Sequence, residues 1–396
     1  MKQIFLTLLI VATVVCCASA PVAFAQEPVQ LPSGPLPAYY TYYPLQGVST
    51  EEAMRGSAAA TTIPMWGYTT TASRDSNHYS GVMVGRSPFF HGARTTNVPT
   101  FIVPLKVKMP DTTVFDPSAA DATCLSSKVP LTVFQNSPIF QNAAFTMNGT
   151  SIGTTQYIDA FQRASFLMEN VSPTGDRYHT MLSPVTTLAE QTFTVPTNKG
   201  GTFTGGFCGN LGIMDIGAFD TFVQGTIIPF VTAHGGGPTS FPIILLYNVV
   251  MANPYLPNTS ANCCILGFHN SFGNPVQTYS PADFDSTGAF SSGTKDISVL
   301  SHEVGEWMDD PLGTNPTPAW GGIGQVGGCQ GNLEVGDPLS GTLFPSVSLS
   351  SFTYHPQELA FFSWFYGSPS IGTGSKFSDN GTFAGNAKVC PPGGTN

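Results

Sequence analysis

Residues 298–311 read SVLSHEVGEWMDDP, and their apolar positions recur with the period of a helix. Ile297, Leu300, Val304 and Met308 are spaced by three and four, Asp296 or Thr294 stands where a side chain can cap the start, and Pro311 stops the run. The spacing predicts a helix over 296–309. Residues four apart share a helix face, so His302 and Glu306 can reach one point from adjacent turns. Glu303, one step round from His302, is placed to take a proton from a water on a cation without binding the cation itself. The pattern H-E-x-x-E therefore offers two metal ligands, His302 and Glu306, and a general base, Glu303. The competing account is a solvated helix face with His302 packed beside it. Against it, these ionisable groups lie among Val, Leu, Trp and Met in a chain that is only 10% charged.

A zinc site needs a third protein ligand and an open position for water. Glu334 in GNLEVGD is the best candidate, and Asp337 can replace it or hydrogen-bond His302 from behind. The pair also fits an acidic turn or helix cap. Asp309 and Asp310 read as helix-terminating residues. His269 in GFHNSF can approach the site as a ligand or oxyanion donor, although a core or turn position suits it better. His234 reads as a loop residue, and His78, His91, His179 and His355 carry no motif. Gly305 costs about 1 kcal/mol relative to alanine within a helix, so a neighbour is expected to pack closely there. Trp307 and Trp320 read as core or cleft wall.

Residues 298–337 resemble the zincin type of metallopeptidase, in which a sheet lies over a helix bearing H-E-x-x-H and a downstream glutamate can complete the ligands. They are more similar to a group of secreted microbial proteins with an H-E-x-x-E helix, a D-P or N-P pair, a Trp and an E-[IV]-x-D segment. The matching residues here are His302, Glu303, Glu306, Asp310-Pro311, Trp320 and Glu334-Val335-Gly336-Asp337. A more distant similarity extends to the plant extracellular EXORDIUM proteins. The departure from true zincins is Glu306 in place of histidine. Two carboxylates and one imidazole lower the effective charge on an ion and its power to acidify water.

At the start of the chain, one lysine, a long apolar run and small residues up to Ala25 have the layout of a secretory signal peptide, residues 1–25. Cys16 and Cys17 would leave with it. No later segment reads as apolar for long enough to span a membrane, so a secreted, extracellular or periplasmic protein is expected. Net charge is -10, which argues against nucleic acid or an anionic membrane as partner, since both reward clustered Lys and Arg. The six remaining cysteines, Cys124, Cys208, Cys263, Cys264, Cys329 and Cys390, suggest up to three disulfides, with the neighbours Cys263 and Cys264 expected to take different partners. Sequons occur at Asn148, Asn170, Asn258 and Asn380.

Residues 26–75 are rich in proline and tyrosine and read as an extended surface segment. The body, 76–396, reads as a single α+β domain of short strands and long loops. Strands are expected at 98–109, 225–234, 241–251 and 263–273, a helix at 157–171, a helix or strand at 357–367, and mostly loop over 312–345. The fold class is α+β, zincin-like and disulfide-stapled, with a mixed sheet packed on the 296–309 helix. Two functions are expected from this reading. The first is a secreted zinc-dependent, peptidase-like hydrolase acting on an extracellular peptide or polymer. The second is a non-catalytic extracellular protein on the same scaffold, binding a glycan, wall component or protein, with or without a structural ion. A serine hydrolase is set aside.

Overall fold

The stretch FPIILLY, Phe241–Tyr247, is buried along its whole length. A strand of that composition needs cover on both faces, and it has it. Ile243 and Leu245 enter one hydrophobic core, Ile244 and Leu246 the other. The computed structural model describes residues 28–89, 94–167, 178–205, 208–367, 372–388 and 390. Within them the chain forms a mixed sheet of 12 strands. Its path runs Val29–Gln30, Gly200–Thr204, Leu211–Asp215, Val249–Ala252, Cys263–Phe272, Gln277–Phe284, Phe241–Tyr247, Arg94–Lys108, Gln191–Thr194. Phe241–Tyr247 runs parallel to both its neighbours, whereas Cys263–Phe272 and Gln277–Phe284 are antiparallel. The architecture is thus mixed α+β, a large sheet with few helices.

Two helical layers cover the sheet. The predicted motif helix forms as Ser298–Asp309, with all of its residues buried. Its Val299, Leu300, Val304 and Trp307 share one core with Leu266, Ala282 and Phe284 of the sheet, and with Phe161 of the helix Tyr157–Ser165. Leu359 lies where a Cβ on Gly305 would come within 2.7 Å, which is the close neighbour expected there. The opposite face carries a continuous helical run, Ile216–Ala233, whose Ile216, Phe219, Val223, Ile227 and Val231 pack on the sheet.

That run corrects two expectations. Residues 225–234 are helical, through a π-turn Val223–Ile227 and a helix Ile228–Ala233. Gly225 had hidden the upstream half of the run, and Pro229, interior to it, follows directly on the π-turn Val223–Ile227. The run is also long and apolar enough to cross a membrane by length and composition, although one face of it is packed on the sheet.

Other boundaries shift for local reasons. Asn248, with φ 55°, divides 241–251 into two strands. The 157–171 helix ends at Ser165. Residues 312–345, expected as loop, hold an antiparallel hairpin, Pro316–Ile323 with Val326–Asn332. The 357–367 stretch resolves as a short helix, Phe362–Tyr366, closed by Gly367 at φ 70°.

The N-terminal segment is not a superficial strap. Thr50–Ala58 is a helix with a capping box between Ser49 and Glu52, and Tyr39–Tyr43 enters the main sheet parallel to Cys263–Phe272. Segment and body therefore share one sheet. The cysteines pair as Cys124–Cys208, Cys263–Cys264 and Cys329–Cys390. The expectation of separate partners for Cys263 and Cys264 is overturned: the other four cysteines satisfy one another, which leaves the two neighbours to pair. Residues 1–25, His91 and the Asn170 sequon lie outside the described residues.

Candidate metal centre

Motif helix and sheet meet at a place where both have been cut back to let them approach. The pairing register of Cys263–Phe272 shifts between Ile265 and Gly267. Gly267 then faces the helix, and a Cβ there would lie 2.8 Å from both Glu303 Cγ and Val299 Cγ1. His269, two residues on, shares that face and brings its Nδ1 to 3.5 Å from Glu303 Oε2 and 3.9 Å from Glu306 Oε2. On the other side of the helix, Gly336 lies so close to His302 that a Cβ would sit 2.4–2.6 Å from the imidazole. That contact lets the 333–337 segment lay its backbone against the motif: the amides of Gly336 and Asp337 donate to Glu306 Oε1 at 3.1 and 3.2 Å.

His302 is oriented from behind. Gln357 donates its Nε2–H to the Gly336 carbonyl at 2.7 Å, so its Oε1 faces His302 Nδ1 at 3.2 Å. Nδ1 must then carry the hydrogen, and Nε2 faces the carboxylates, as a metal-binding imidazole requires. Nε2 lies 3.0 Å from Glu306 Oε1 and 3.5 Å from Asp337 Oδ1, without the alignment of a hydrogen bond to either. Asp337 is held by Gln330, which donates at 2.8 Å, and by Gln325, both from the 316–332 hairpin. Gln325 also clamps the backbone of Tyr40, accepting from its N–H at 2.8 Å and donating to its carbonyl at 3.0 Å. The Tyr40 ring stacks on His302 with centroids 3.8 Å apart.

Two groups of three potential ligands result, His302–Glu306–Asp337 and His269–Glu303–Glu306, each with its donor atoms within 4.8 Å of one another. Such buried His/Glu/Asp groups could hold a metal ion. None of these five residues is more than 4% exposed. Both nitrogens of His269, both oxygens of Glu303 and both oxygens of Glu334 lack an aligned hydrogen-bond partner, although the Asp310 carbonyl stands near the His269 ring. Among the described residues, none of the ion pairs brings a lysine or arginine to these carboxylates.

The electrostatics follow from burying so many acids together. Burial and the neighbouring charge of Glu306 push Asp337 up to about 6, and burial with like charges raises Glu303 and Glu334 well above the carboxylate range. Burial also opposes charge on Glu306, but the imidazoles of His302 and His269 hold it below its ordinary value. Burial alone would depress His302; the charge of Glu306 and the contacts to Asp337 overcome it and raise the imidazole well above its ordinary value. His269, where burial dominates, falls to about 4. The metal-free cluster thus retains protons that a cation would displace.

The sequence-predicted residues divide accordingly. His302, Glu303 and Glu306 lie together, and Asp337 completes the His302 group. Glu334, the favoured third ligand, adjoins Glu306 but lies outside both groups. Asp310 accepts from the Thr314 and Asn315 amides at 2.9 Å and ends the helix as expected. Asp296 does not cap it; its carboxylate takes the Ile297 amide and pairs with His355. His269, for which a core or turn position suits the sequence better, is brought into the second group as a candidate ligand, and Tyr40, Gln325, Gln330 and Gln357 carry no local spacing that ties them to the motif. The chain also contains a G-x-S-x-G, Gly149–Gly153. It lies on a hairpin, Ala143–Met147 with Thr150–Thr155, with Ser151 exposed, and not at the strand-to-helix elbow that a serine nucleophile needs.

Compared with protein-family models, curated proteins and solved structures, the chain matches none. The resemblance to zincins therefore rests on the motif residues alone.

Proposed function

We propose that the protein is a secreted metal-dependent hydrolase, peptidase-like, acting on an extracellular peptide or polymer. The observation that carries this reading is the convergence of His302 Nε2, Glu306 and Asp337 in a buried group beside the Glu303 carboxylate. In this reading those three residues would hold zinc, which would supply a Lewis acid for the substrate carbonyl and for water. Glu303 takes the proton from the attacking water and returns it to the leaving amine. The amides of Gly336 and Asp337 donate to Glu306, which the imidazoles of His302 and His269 keep charged. Three cysteine pairs at bonding distance accord with an oxidising compartment.

A second reading is favoured by the depth of the cluster. With the five residues of the two groups no more than 4% exposed and Tyr40 stacked on His302, the centre has the enclosed form of a structural site on a non-catalytic extracellular protein. Under the hydrolase reading, the strand Tyr39–Tyr43 must move aside to admit substrate.

Hydrolysis of a fluorogenic peptide library by the zinc-loaded protein and by Glu303→Gln separates the two. Turnover by the wild type, reduced at least 100-fold in Glu303→Gln, supports the hydrolase. Full metal content with no turnover in either protein assigns the centre to structure.

A further inference from the structure

We infer that the cluster seats two divalent cations, bridged by Glu306. The inference deepens the reading above and shares its first seat, His302–Glu306–Asp337. The second seat is His269–Glu303–Glu306.

The two oxygens of Glu306 face different histidines. Oε1 lies 3.0 Å from His302 Nε2, and Oε2 lies 3.9 Å from His269 Nδ1. A carboxylate that spans two imidazoles in this way can bind one ion through each oxygen. Two ions so bridged would lie about 3.5–4 Å apart, the separation of two-metal hydrolytic centres.

The second seat has its own evidence. His269 and Glu303 are 0% exposed, and neither side chain has a single aligned hydrogen-bond partner. Buried polar groups are ordinarily hydrogen-bonded; the Asp310 carbonyl near the His269 ring does nothing for Glu303, and His269 Nδ1 and Glu303 Oε2, facing each other at 3.5 Å without an aligned bond, call for a common third body. Gly267 holds the strand against Glu303 and so brings that pair together.

The charge count points the same way. Glu303, Glu306, Glu334 and Asp337 are four carboxylates in one buried cluster. With Asp310 also buried and close enough to act on Glu306 and Glu334, these acids outnumber what one divalent cation offsets. The donor set, imidazole nitrogen and carboxylate oxygen, suits zinc or manganese. With both ions bound, Glu303 would be a ligand in place of the general base of the one-ion reading, and the two ions would supply the acidified water.

The test counts ions in the full chain. Protein stripped with chelator is loaded with zinc, freed of excess by gel filtration and measured by elemental mass spectrometry; a parallel sample is loaded with Mn(II) for electron paramagnetic resonance. Two zinc per chain, one in His269→Ala, and the spectrum of an exchange-coupled manganese pair are expected. One zinc per wild-type chain, two zinc retained in His269→Ala, or the six-line spectrum of isolated Mn(II) would overturn the second seat. One zinc leaves the hydrolase reading standing, whereas no zinc overturns both. The wild-type count and the manganese spectrum do not depend on the folding of any variant.

Discussion

Asp309 is the last residue of the motif helix, fully buried, and its Oδ2 has no hydrogen-bond partner while Oδ1 accepts from Gln162. Burial raises its carboxyl to about 8, well above its value in an unfolded chain. Between roughly pH 4 and 8 the folded state keeps a proton that the unfolded state has lost, so stability falls as pH rises through that window. An amide keeps the acceptor for Gln162 and removes the titration. Asp309→Asn should therefore flatten the decline by up to about 1.4 kcal/mol per pH unit, measured by urea unfolding at pH 5, 6, 7 and 8. Parallel curves for the two proteins would show that Asp309 titrates normally. Reading from sequence worked best where it was most local. His302, Glu303 and Glu306 are set by helical geometry and nothing else. His269 could be named but not ranked, because it belongs to a strand, and a bulge in that strand decides which way it faces.

The strand Tyr39–Tyr43 and the hairpin Pro316–Asn332 are the parts of the chain that close the site. Gln325 joins them, holding the Tyr40 backbone and Asp337 at once, and Cys329–Cys390 anchors the hairpin to the C-terminal segment. Removing the Tyr40 ring takes away a buried aromatic stacked on a candidate ligand. Tyr40→Ala should cost roughly 3 kcal/mol in urea unfolding and speed the transfer of bound zinc to a chromophoric chelator. Unchanged stability and unchanged release would mean that the strand does not cover the centre. Neither feature was legible from composition. A tyrosine-rich stretch reads as surface until its pairing with Cys263–Phe272, far away in sequence, is known. A glycine-rich run reads as loop because its strands are held by hairpin pairing and a disulfide, not by apolar alternation.

A sheet covered on both faces favours apolar residues on both sides of its central strands, which is why 241–251 could be read as a buried strand; 263–273 starts the same way and then buries His269, Asn270 and Ser271. The same burial gives the molecule a cluster of acids to which, among the described residues, no lysine or arginine is paired, so a cation should act as part of the fold. Zinc that binds the native and not the unfolded chain should raise stability by about 2.7 kcal/mol at a hundredfold excess over its Kd. Thermal unfolding would show this as a rise in Tm with zinc and a fall with chelator; a Tm indifferent to both would place the acids outside any metal site. The most direct measurement is the metal content of the purified protein, by elemental mass spectrometry, beside His302→Ala and Glu306→Ala. The account predicts at least one divalent ion per wild-type chain, fewer in His302→Ala and fewest in Glu306→Ala, which takes a ligand from both groups. A wild type that carries no metal, even after incubation with zinc, would contradict it.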